Sequence, residues 1–517
     1  MKARVWAAVA ILALWVGGLG MLVRREYFRP HIERLAEAAL RVTPGAVFYA
    51  VMQGDKQVGF ASSTIDTSTA GIEQRDYLVT DIPVGGKMHR ATARTNVTLS
   101  RTLRLKSFDV AVEADQSPMR VTGDVIGDTL LRFVIGVGEN ASADTQRVRL
   151  DGPILLPTLV PLAVALEDRP RVGKSYVLPL FDVASLAPKD VRLDIRAESL
   201  FVVNDSSVFD STAGLWKGVL PDTVRAWQIV PQSGGALGGW VDEQGRLVSS
   251  SQLGFRLQRM PYEVAFENWR RETDRMQAIG RPPPVASNRD VLEISAIAAN
   301  KRLRSALPVL KMRLGGVSLR GFDLDGGRQR LVRDTLIVTA ENAQALAARY
   351  FAIEGPQRAR FPELKAEPFL EVDHREIVAL AERIADGSRD PRAVAQRINK
   401  WVYDSIRKEV TVGIPSALHV LHTRVGDCNE HAQLFVALAR AAGVPARIAT
   451  GLAYVDGKFY YHAWPEVMLR GWVAVDPTFG QFPADASHLR FVIGGLGRQA
   501  ELLRLVGGLT IDVIGTR

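Results

Sequence analysis

The sequence predicts an α+β protein in which strands and helices are segregated along the chain. Three observations carry that prediction. Residues 46–275 are dominated by short strand-like runs separated by Gly-marked turns. Helical periodicity begins only near residue 374. Strand-like runs then return from Ala446 to Val475.

Size and composition frame this reading. At 517 residues the chain is too long for one hydrophobic core, so several domains are expected. The apolar share of 47% is ordinary for a globular protein. The net charge of +9 comes largely from scattered arginines, with no basic cluster interleaved with aromatics. Nucleic acid is therefore not an expected partner, whereas an anionic membrane or cell-wall surface is. A single cysteine excludes an internal disulfide.

Taken in order, Val5 to Val23 is a charge-free run of 19 residues, about the length that spans a hydrocarbon core. No small-residue cleavage site follows it, so an uncleaved transmembrane helix over residues 1–30 is expected rather than a signal peptide. Basic residues flank both ends, and a short anchor ahead of a large domain is an export-like arrangement. The expected location is the inner membrane, single-pass, with the remaining chain periplasmic. Residues 31–42 suit a short amphipathic juxtamembrane helix. A β-rich domain then runs to about 280. Within it Val97, Leu99, Leu103 and Leu105 read as one face of a strand. Trp240–Val248 reads as a hairpin turning at Gly245. Pro282-Pro283-Pro284 is a stiff linker. Residues 288–370 carry further strand signals, such as Thr335–Val338, and are expected to form a β-rich connecting domain.

Residues 371–517 are the expected catalytic domain. Ile377, Leu380, Ala381 and Ile384 mark a first helix. Asp390-Pro391 opens a second, as a cap followed by proline at the first helical position. A third begins at Cys428 and stops before Gly443 and Pro445; being apolar on most faces, it should be buried. Asp427 caps it and Glu430 stands three positions on, an Asp version of the capping box.

The chemistry concentrates on three residues. Cys428 at a helix start faces unpaired N–H groups and the positive end of the helix dipole, which lower a thiol's pKa, while Asp427 and Glu430 push the other way, so His462 is expected as a cationic partner in a thiolate–imidazolium pair. If the strands around His462 and Asp476 pair antiparallel about Leu469-Arg470, those two residues fall directly opposite each other, on one face. The carboxylate then fixes the imidazole tautomer, and the other ring nitrogen faces the thiol. A backbone N–H at the helix start is a natural oxyanion donor. Each residue also has a bland reading: a buried cysteine, a core histidine, a turn aspartate. One register that aligns two of them, with the third opening a capped helix, favours a cysteine active site. A zinc spacing over His419, His422, Cys428 and His431 leaves the His462–Asp476 alignment unexplained. Asp323–Gly326 reads as a tight turn rather than a calcium loop, and the Asn96 sequon lies in a strand-like run.

Four segments carry a resemblance: Arg424–Ala432, Ala439–Arg447, Tyr461–Val467 and Trp472–Thr478. Together they resemble the catalytic core of the transglutaminase-like superfamily, as in its membrane-anchored bacterial members. The resemblance covers roughly 375–485. It implies a papain-like α+β core, a Cys428–His462–Asp476 triad and a thioester acyl-enzyme. The superfamily includes cross-linkers, proteases, amidases and inactive members. Neither calcium dependence nor Gln–Lys cross-linking is carried over, and no cofactor is implied. The expected function is a membrane-anchored cysteine acyl hydrolase or transferase acting on a protein or peptide substrate. Hydrolysis ranks first, because nothing marks a lysine-acceptor site. The rival is a non-catalytic, membrane-tethered binding scaffold.

Overall fold

The computed structural model describes residues 42–516 except 116, 138–143, 168–169, 183–185, 233–237, 253, 281–289, 305, 343–360 and 415. The expected anchor, the helix ahead of residue 42 and the Pro282–Pro284 linker lie outside the described residues. No described helix is long and apolar enough to cross a membrane.

Residues 45–260 form one fourteen-stranded antiparallel sheet. Its first strand, Gly45–Gln53, pairs with its last, Phe255–Met260, so the chain's two halves run outward from a shared centre. The edges are Asp144–Arg149 and Ser175–Asp182. The segment after the first edge reaches the second: Leu155 donates to Pro179 (2.9 Å) and accepts from Phe181 (2.7 Å). The sheet therefore curls towards a barrel, the usual way of removing exposed edges. The helix Val160–Glu167 packs against its inner wall. Val160 and Val164 lie among Tyr49, Trp227 and Ile229, and Leu159 and Leu162 among Phe108 and Phe133. The expected hairpin forms from Gly239–Asp242 and Leu247–Gln252. Gly245 turns it at φ +74°, so close to the internal helix that a Cβ there would lie 2.7 Å from the Leu162 backbone. The single strand expected through Val97–Leu105 is instead two. Ser100 and Arg104 close a turn (2.8 Å) around Leu103, which adopts φ +59°. Alternating apolar residues on both sides of a tight turn mimic one continuous strand.

The C-terminal region packs helices against a second sheet. We label the helices α1 (Arg375–Ala385), α2 (Pro391–Ser405), α3 (Ala417–Thr423) and α4 (Cys428–Ala441), and the strands β1 (Ala446–Val455), β2 (Lys458–Met468), β3 (Trp472–Ala474) and β4 (His488–Ile493). Asp390 caps α2 with Pro391 at its first position. Buried faces of α1 and α2, including Ile377, Leu380, Ile398 and Val402, close around Phe435 and Leu438 of α4. Strand β1 is central, flanked by β2 and β4, and β3 extends β2. Strand pairing ties 288–370 to this region. Ile297–Ala298 pairs with β2, and the final strand Thr510–Thr516 pairs with Val309–Gly315. Leu310 and Met312 share a core with Phe459 and Phe491.

The barrel and the C-terminal region meet along residues 410–414. Asp115 accepts from the Val412 N–H (2.9 Å), and Ser117 donates to the Ile414 carbonyl (3.1 Å). This loop immediately precedes α3 and α4, so the barrel abuts the segment that sets the start of the site.

Candidate active site

Helix α4 is fixed at its first turn. Asp427 accepts from the Asn429 N–H (2.9 Å), and Glu430 accepts from the Asp427 N–H (2.9 Å), completing the capping box. Thr411 holds the other Glu430 oxygen (2.9 Å). Only glycine fits at 426, where a Cβ would lie 2.2 Å from the Glu430 side chain. Cys428 is thereby placed at the first helical position, half-buried, with the Ala463 backbone N–H donating to its sulfur. The thiol thus rests against the strand residue next to His462.

The expected activation of this thiol is not found. Burial pushes the Cys428 thiol well up, and the Asp427, Glu430 and Asp476 carboxylates push it further. Only the Ala463 N–H acts the other way among the main influences. Desolvation and neighbouring anions outweigh the helix-start contribution that the sequence suggested.

His462 and Asp476 do meet. The imidazole Nε2 lies 2.7 Å from Asp476 Oδ2, with both side chains buried. This commits Nε2 and leaves Nδ1 as the nitrogen available to a thiol. The ring is clamped in parallel by Phe479 (4.6 Å between centroids) and Trp464 (6.0 Å). The hairpin register differs from expectation. Met468 faces Trp472 and Glu466 faces Ala474, so each β2 residue's partner lies two positions further along than the register that would set His462 directly opposite Asp476. Strand β3 ends at Ala474, and Asp476 sits in a turn closed by reciprocal backbone bonds with Gln481 (2.9 and 2.8 Å). The contact to His462 is therefore diagonal, made by a turn residue rather than by a directly opposed pair. A register slip of an even number of residues keeps the same face, which is why the contact survives.

Asp476 is fully buried and fully engaged. Its Oδ1 accepts from the Thr478 (2.7 Å) and Phe479 (3.0 Å) N–H groups. Its Oδ2 accepts from His462 and also from His488 Nε2 (2.9 Å). Burial opposes the charge, but the two imidazoles outweigh it and hold the carboxyl far below its usual range. His488, on β4, was missed by sequence reasoning. It is fully buried, and its Nδ1 faces Asp485 Oδ1 at 3.3 Å. No local motif flags it, since it lies twelve residues beyond Asp476 on a separate strand.

His462, Asp476 and His488 stand at hydrogen-bond distances of 2.7 and 2.9 Å, and one ligand atom from each lies within 4.8 Å of the others. The zinc-like spacing disperses: His422 pairs with Glu376 (2.9 Å), and His431 Nδ1 donates to the Asp427 carbonyl (2.6 Å).

Comparison with known proteins matches residues 378–477 to the Transglutaminase-like superfamily. The uncharacterized protein ML0607 of Mycobacterium leprae (strain TN) is 27% identical over 180 residues, 32% of this chain and 63% of that protein. The chain thus spans less than two thirds of that relative's length. Among solved structures, a putative cysteine protease from Cytophaga hutchinsonii is similar at 15% identity and a TM-score of 0.26, over 43% of this chain and 81% of its own. The periplasmic domain of TgpA from Pseudomonas aeruginosa, bound to ethylmercury, is similar at 20% identity and a TM-score of 0.24, over 35% of this chain and 79% of its own. A β-barrel-like protein of domain family DUF1849 from Brucella abortus is similar at 14% identity and a TM-score of 0.27, over 43% of this chain and 96% of its own. The region that sets His462 against Asp476, with Cys428 at the start of its buried helix, is the one that matches the transglutaminase-like superfamily.

Proposed function

We propose that this chain is a membrane-anchored cysteine acyl hydrolase or transferase acting on peptide or carboxamide bonds. Cys428 attacks the carbonyl, His462 takes the thiol proton and delivers it to the leaving amine, and Asp476 holds the imidazole tautomer. Water, or a second amine, then resolves the thioester. The observation that supports this reading most is the buried 2.7 Å His462–Asp476 contact. It leaves the free imidazole nitrogen on the residue preceding Ala463, whose N–H holds the Cys428 sulfur. Because burial keeps the resting thiol protonated, His462 acts as a general base in concert with attack rather than through a standing thiolate. The apolar run Val5–Val23 supplies the anchor, with the barrel and the catalytic domain on the periplasmic side.

The test is direct. Purified full-length protein is incubated with casein, with and without a fluorescent primary amine. Peptide release reports hydrolysis, and amine incorporation reports transfer. Cys428→Ala abolishes either activity; activity that survives this change overturns the proposal. The second reading, a tethered binding scaffold, draws on the strongly raised thiol pKa. It predicts no turnover and an unreactive Cys428.

A further inference from the structure

We propose that His488 is a positioning residue for this site, bridging Asp476 and Asp485 and holding the carboxylate that orients His462. The inference rests on the triad reading above and extends it by one shell.

The geometry defines the protonation state. Each ring nitrogen of His488 faces a carboxylate oxygen, Asp476 Oδ2 at 2.9 Å and Asp485 Oδ1 at 3.3 Å. An ionised carboxylate only accepts, so both nitrogens carry hydrogens and the ring is cationic. Burial works against that charge, yet the two carboxylates more than offset it and raise the His488 pKa. Asp485 is correspondingly drawn down to about 2, against its own burial, by His488 and by the Ser487 hydroxyl (2.6 Å). The surrounding elements fix the arrangement. Arg328 donates to the Asp485 carbonyl (2.6 Å), and Trp464 and Phe479 pack edge-on against the His488 ring. The titratable and charged groups facing His488 are therefore Asp476, Asp485 and His462, with Arg328 behind the Asp485 backbone.

Two consequences follow for His462, whose ring centroid lies 5.6 Å from that of His488. First, Asp476 Oδ2 is held from two sides, so the carboxylate cannot turn away from His462. Second, a buried positive charge stands at this range from the His462 ring, so its removal is read in the pH dependence of Cys428 reactivity.

The experiment is the pH dependence of Cys428 alkylation by iodoacetamide, a probe that needs no substrate. It is measured on the full-length wild type, His488→Gln, Asp485→Asn and His462→Gln. Gln keeps a neutral donor towards Asp476 and removes the charge. The acid limb in His488→Gln moves up by roughly one pH unit, and Asp485→Asn, which removes an anion while Asp476 keeps His488 cationic, moves it down by less. A purely structural role would lower the melting temperature without moving the limb. If His488→Gln superimposes on wild type while His462→Gln does not, the positioning role is wrong and the triad stands. If His462→Gln also superimposes, the triad reading itself falls. Should His488→Gln fail to fold, the Asp485→Asn limb decides: no shift in that variant overturns the proposal.

Discussion

Replacing Asp476 with Asn is the most informative single change, because the structure assigns every lone pair of that carboxylate. Oδ1 accepts two backbone N–H groups and Oδ2 accepts two imidazoles. An Asn can keep its oxygen on the turn, which leaves its amide nitrogen facing both rings. His462 must then rotate its tautomer to put an acceptor at Nε2, placing a hydrogen on Nδ1, where the base is needed. His488 meets the same amide by giving up its Nε2 hydrogen and its charge, keeping Nδ1–H on Asp485. Two charge-assisted hydrogen bonds become neutral ones, each weaker by about 1 kcal/mol, so the domain loses about 2 kcal/mol. In the Ser-His-Asp template the same exchange lowers turnover about 10⁴-fold through the wrong tautomer. A thiol is intrinsically more nucleophilic, so alkylation of Cys428 at neutral pH falls less, by about 10–100-fold. Guanidinium unfolding measures the first quantity and iodoacetamide kinetics the second. A variant within about 0.5 kcal/mol of wild type, with an unchanged alkylation rate, would refute the assignment of Asp476 as the orienting group.

Other expected outcomes follow from the supports of the site. Gly451 sits opposite His462 on the central strand, and a Cβ there would lie 1.9 Å from the Leu489 carbonyl. Gly451→Ala is expected to cost about 1–3 kcal/mol and to loosen β4, read by denaturant unfolding. Asp427→Ala removes one half of the capping box and is expected to cost about 1 kcal/mol, with Asp427→Asn nearly neutral, by the same assay. The His488 contribution to stability depends on pH in a defined sense. Its folded pKa is raised, so the stabilisation is complete below the unfolded value of about 6.5 and is lost as pH rises through the folded pKa. The gap in unfolding free energy between wild type and His488→Gln is therefore wider at pH 6 than at pH 9. Asp485, lowered to about 2, behaves oppositely: its stabilisation is present above about 3.9 and fades as acid brings the pH down to that folded value.

Local signals in the sequence were the legible ones. Asp390-Pro391, the Asp427/Glu430 capping box and the Gly443 stop lie within one helical turn of what they control, and each helix begins or ends accordingly. The convergence of His462 with Asp476 was also legible, because strand alternation fixes a face even when the register is displaced by two. Long-range pairing was not. Nothing near residue 310 announces that its partner strand lies beyond residue 509. Nothing near Leu155 announces that it bonds to the far edge of a fourteen-stranded sheet. The thiol pKa was misjudged because the dipole of a helix start can be read locally, whereas desolvation depends on what the rest of the fold packs over it. His488 escaped for the same reason: its partners come from a turn and a loop, and no spacing rule joins them.

The central claim is that His462 serves the Cys428 sulfur as its base. The pH profile of Cys428 alkylation, with the modified residue mapped by mass spectrometry, tests it most directly. The account predicts that wild type reacts faster and down to lower pH than His462→Gln, whose limb rises to that of an isolated buried thiol. Profiles of equal rate and equal midpoint would show that the imidazole does not serve this sulfur.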